Sequence, residues 1–136
     1  MGMTLRSSAR IAVTVCAISL VFSLSYGAAE TKSRIYSNVE YNQEGGDLLG
    51  YELEIQLDGS RVTGVLRIYE GGCGNLAPVA GTLSGGKISL RGEDKFYGKV
   101  EMNGTLSNDL VKATLRMEKA AKTETIKLRL IPKPHC

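Results

Sequence analysis

From Tyr51 onward the chain alternates apolar and polar residues with a period of two. Tyr51, Leu53, Ile55 and Leu57 fall on one side, and Glu52, Glu54 and Gln56 on the other. Successive side chains of an extended strand point to opposite faces, so this spacing predicts a strand with one buried face. Asp58-Gly59 follows at once, a pair suited to a two-residue type I′ turn with positive φ at both positions. The return strand is expected over 60–70. It places Val62, Leu66 and Ile68 on the apolar side, opposite Arg61, Thr63 and Arg67.

The pattern recurs downstream. Residues 79–83 lead through Ser84-Gly85-Gly86 to Ile88 and Leu90, and Val100, Met102 and Leu106 lead through Ser107-Asn108-Asp109 to Val111, Ala113, Leu115 and Met117. Ala120-Ala121-Lys122 then turns the chain into Ile126, Leu128 and Leu130, with Thr125, Lys127 and Arg129 outward. The tetrapeptide Gly81-Thr82-Leu83-Ser84 returns unchanged as Gly104-Thr105-Leu106-Ser107, each copy just ahead of a turn. We read it as a repeated hairpin solution and not as a duplication. Upstream, residues 34–41 have strand composition and stop at Gln43-Glu44-Gly45-Gly46-Asp47, a loop.

About eight strands joined by short turns make an all-β, single-domain antiparallel meander. One apolar face has to be buried, either by closing the sheet into a barrel or by stacking two sheets. A small β-barrel is the leading architecture, with a β-sandwich as the alternative. No stretch sustains a helical period; a short helix fits only at 28–34 or 117–122.

The first acidic residue is Glu30. Before it, Arg6 and Arg10 precede an apolar run over 11–24, then Gly27, Ala28 and Ala29. A basic start, an apolar stretch of this length and a small-residue exit predict a secretory signal peptide over 1–29, cut after Ala29 or Gly27. A membrane span needs ~20 apolar residues, and this run is shorter and interrupted by Thr14, Ser19 and Ser23. The expected product is one exported β-domain over 30–136, periplasmic or secreted, with no stable membrane insertion after cleavage.

Cleavage takes Lys+Arg from 17 to 15 against 14 acids. The mature chain is then close to neutral, which does not suggest a nucleic-acid partner. Cleavage also removes Cys16 and leaves Cys73 and Cys136, an even pair that an oxidising compartment joins. Such a bridge closes a loop of roughly 60 residues. Pro132 and Pro134 end the last strand, so the tail is expected to run as an extended strap anchored by the disulfide.

Little else in the chain offers chemistry. His135 is the single imidazole, and on a proline-rich tail it reads as solvated. The glycines over 71–75 lack the Gly-Lys-Ser/Thr ending of a phosphate loop. Glu52, Glu54 and Gln56 read as a solvated strand face, and Glu93-Asp94 as polar cover on a loop. No cofactor, metal or catalytic set is expected.

The loop Glu93, Asp94, Lys95, Phe96 and Tyr97 is the candidate interaction loop. Its aromatics either fold back as a plug or stand out as an anchor. If it opens on the same end as the loop over 42–49, that end is the expected contact surface. The composition supports a non-enzymatic exported binding protein whose partner is another protein of the same compartment, of inhibitor, immunity or accessory type. The alternative is a carrier of a small apolar ligand inside the barrel.

Overall fold

The computed structural model describes residues 32–136 together with Gly2. The expected signal segment and its Cys16 lie outside the described residues. Nine strands follow one another: β1 (Arg34–Ser37), β2 (Glu40–Asn42), β3 (Asp47–Asp58), β4 (Arg61–Gly71), β5 (Asn75–Ser84), β6 (Lys87–Asp94), β7 (Gly98–Leu106), β8 (Leu110–Met117) and β9 (Lys122–Ile131). From β3 to β9 each strand pairs antiparallel with the next, and β1 pairs with both β3 and β9. That double pairing closes an eight-stranded barrel with β2 as an extra strand on β3. The sheet is a barrel, not the alternative sandwich. Among the described residues, 117–122 form a strand end and a turn where a short helix had been an option.

The expected strand over 34–41 is present but interrupted. Arg34 faces Ile55 and Glu40 faces Leu49, so β1 and β2 hold one continuous register on β3. Asn38 sits at the break. Its backbone N–H donates to Tyr51 O at 3.1 Å, and its side-chain Oδ1 accepts from Tyr51 N at 2.7 Å. β1 stays with β9, whereas β2 pairs with β3 alone.

The rows of the ladder are staggered. Tyr36 meets Leu53 on one side and Leu130 on the other. Followed from Leu53 the long way round through Leu66 and Ala77, the same row reaches β9 at Ala120, ten residues short of Leu130. A shear of this size tilts the strands by roughly 35–45° to the barrel axis. The interior is packed with side chains: Tyr36, Leu53, Ile55, Leu66, Leu115 and Leu128 are fully buried, joined by Ile68, Ile88, Leu90 and Met102. Burying each such side chain contributes about 1.5–3 kcal/mol.

The first hairpin uses a different turn from the expected one. Asp58 pairs with Arg61, so the loop is Gly59-Ser60, and only Gly59 has positive φ, at 59°. Positive φ at the first central position alone is the type II′ pattern. Gly85-Gly86 between β5 and β6, at 57° and 76°, is the type I′ turn of this chain.

The repeated tetrapeptide has a shared geometric cause. Gly81 and Gly104 both face the interior where a neighbouring backbone crosses close. A Cβ on Gly81 would collide with Ser89 O, and one on Gly104 with Lys112 O. Gly81→Ala is expected to lower stability by about 1–3 kcal/mol, read as a shift in the urea midpoint. An unchanged midpoint would show that the sheet relaxes around the methyl group.

Candidate functional site

Antiparallel succession puts every second turn on the same end of the barrel. The turns over 43–46, 72–74, 95–97 and 118–121 share one end; those over 59–60, 85–86 and 107–109 share the other. The two loops singled out from sequence therefore open on the same end, with the turn that carries Cys73 between them.

Within the candidate loop the five residues divide. Glu93 and Lys95 are exposed. Asp94 is buried at the end of β6, a correction to its reading as surface cover. Its Oδ1 accepts from Phe96 N at 2.7 Å and Tyr97 N at 2.8 Å, which fixes the turn from inside. Its Oδ2 is buried without a hydrogen-bond partner among the described residues. Such a group costs about 1–3 kcal/mol, a penalty the molecule carries to hold this turn.

The two aromatics point in different directions. Tyr97 packs against the core with its phenol turned toward the Glu70 carboxylate. The pull of that carboxylate on the phenol proton, then burial and the nearby charges of Glu70 and Asp94, push the phenol up to about 12. Beside it Tyr51 donates to Glu124 Oε2 at 2.7 Å. Burial first, then Glu124 and Glu70, raise Tyr51 well above the ordinary range of a phenol. Both rings close the barrel mouth as neutral donors. Phe96 stands out, 60% exposed, with Lys95 Nζ 5.9 Å above its ring.

A second constellation lies on the outer wall. Glu52 points out of the barrel, yet its side chain is fully buried, which corrects its reading as part of a solvated face. The C-terminal strap covers it. The Cys73–Cys136 disulfide, with Cα atoms 5.7 Å apart, ties the strap to the β4–β5 turn. His135 then meets Glu52 Oε2 twice, through its backbone N–H at 3.3 Å and its ring Nδ1–H at 2.6 Å. His135 is thus tied down and not a free tail residue, although 34% of its side chain stays open to solvent.

The other carboxylate oxygen is served from β4. Arg67 Nη1 lies 3.2 Å from Glu52 Oε1, and its Nη2 lies 3.1 Å from Glu54 Oε2. Tyr69 donates to Glu52 Oε1 at 3.4 Å and receives the His135 ring edge-on at 6.2 Å. Burial, then the Glu52 charge, raise the Tyr69 phenol. Register explains the meeting: Glu52 stands opposite Arg67, and Tyr69 lies two residues further along the same outer face.

A histidine oriented by a buried carboxylate is half of a nucleophile-activating set. Here the thiol nearest to it, Cys136, is consumed in the bridge, and the carboxylates are shared by one guanidinium. This arrangement fastens the strap. Among the described residues no group of three or more His, Cys, Asp or Glu is placed to hold a metal ion.

The chain carries only a partial signal for this cluster: a tyrosine on the polar face of a strand, beside a cross-strand Glu–Arg pair, asks for cover without showing which segment supplies it. Comparison with known proteins returned no matching family model, no significantly similar curated protein and no significantly similar solved structure.

Proposed function

We propose that the protein is an exported, non-enzymatic β-barrel that binds another protein of the same extracytoplasmic compartment through its turn end. The observation that carries this reading is Phe96. It is a large exposed aromatic on a turn locked by two bonds to buried Asp94 and by the inward Tyr97. An anchor held rigid before binding loses little freedom on association, and interfaces draw most of their affinity from a few such residues. Tyr41 and Leu49 add further exposed apolar surface on the β2–β3 hairpin. The basic-apolar-small pattern over 1–29 supports export, and the disulfide is consistent with an oxidising compartment.

The test is capture of the partner from the exported fraction by wild type and by Phe96→Ala, followed by titration of the captured partner. The alanine variant is expected to bind about 1–4 kcal/mol more weakly with unchanged thermal stability. Undiminished affinity in that variant would reject the loop as the contact.

A further inference from the structure

Beyond the expected signal segment the sequence carries an uneven charge. Residues 30–94 hold ten acids and six bases, while residues 95–136 hold nine bases and four acids. Folding turns this into a wall. Lys87 faces Thr105, Thr105 faces Lys112, and Lys112 faces Lys127, so one row across β6, β7, β8 and β9 reads Lys-Thr-Lys-Lys on the outer surface. Arg129 lies two residues beyond Lys127 on the same face. Lys87, Lys112, Lys127 and Arg129 are all exposed, and none has an ion-pair partner among the described residues. Like charges directly opposite on neighbouring strands are destabilising. The row is therefore retained against a local cost.

At the end of the barrel away from Phe96, this wall runs into apolar surface. A concavity of about 570 Å³, open to solvent, lies between Ile35, Leu130, Ile131 and Pro132, with Lys32 and Arg34 at its edge. Leu130 is 45% exposed there. Cations beside exposed aliphatic groups, with no aromatic ring on the outer face of β6–β9, match the interface of a bilayer. They do not match a stacking platform for nucleic acid.

We propose that this end and the adjoining basic wall dock on an anionic phospholipid bilayer, without insertion of a strand. The lipid phosphates neutralise the Lys112–Lys127 row, and Leu130 and Pro132 rest among the upper acyl segments. Phe96, at the opposite end, then faces away from the membrane. The inference does not depend on the protein-binding reading.

Flotation of the oxidised protein with phosphatidylglycerol–phosphatidylcholine vesicles, and with phosphatidylcholine alone, tests it. Binding is expected only to the anionic vesicles and is expected to fall as salt rises. Basic side chains near such a surface each add to the attraction, so K112E/K127E should lower partitioning at least about tenfold. K99E/K119E, the same charge change at the turn end, should lower it far less. Equal loss from both pairs would show a net-charge effect and overturn the proposal. So would indifference to phosphatidylglycerol, or tight binding to duplex DNA with none to vesicles.

Discussion

Replacing Cys73 or Cys136 by serine is expected to lower stability by about 4 kcal/mol. The bridge joins residues 63 apart in sequence. Without it the unfolded chain regains the freedom of that long loop, which is the main source of the loss in the chain-entropy account. The folded side loses as well. Past Pro132 the strap is otherwise held at His135, whose two bonds end on one oxygen of Glu52. Once the strap swings off, a carboxylate and a tyrosine packed under it meet water with half their partners gone. Urea unfolding of wild type, both single variants and the double variant measures the effect. The double variant should match either single one, because all three lack the same bond. A loss below about 1 kcal/mol, or a double variant twice as damaged as a single, would contradict the strap as described.

Arg67→Ala is expected to cost about 3–5 kcal/mol. Among the described residues Arg67 is the one basic side chain of the barrel wall that reaches Glu52, which is fully buried. Removing it leaves a buried carboxylate with hydrogen bonds but without its main countercharge, and frees Glu54 from its bridge. The penalty belongs to the orphaned charge and not to the pair. Removing both charges while keeping an oxygen for His135 and Tyr69, as in E52Q/R67M, should therefore recover most of the loss. Equal destabilisation of the single and the double variant would show that Arg67 acts through its packing instead.

The alternation of side chains was enough to place most strands, because burial on one face is local information with a two-residue period. Turns were readable for the same reason: Gly85-Gly86 and Gly59 mark where φ has to turn positive. Two features were not legible. Period two tells which face Glu52 occupies, but not that a tail more than eighty residues away returns to cover it. It also predicts one strand over 34–41, while the split at Asn38 arises from a side chain bonding Tyr51 across the ladder. For the candidate loop, the choice between plug and anchor depended on Asp94. A buried acid at a strand end looks identical in sequence to an exposed one.

The ring is closed by its first and last strands. β1 contributes four residues, and its second edge finds a partner only in Ser37↔Arg129, Tyr36↔Leu130 and Ile35↔Ile131. Such contacts are among the most distant the chain can make, and distant contacts form late. A polypeptide emerging with its N-terminus first can pair β3 through β8 in order as each hairpin appears. It cannot join the two ends of the sheet until β9 has been made, and Cys136 follows β9 by only five residues. Completion of the barrel and formation of its covalent tie thus belong to one late step, once the residues over 122–136 are free to fold.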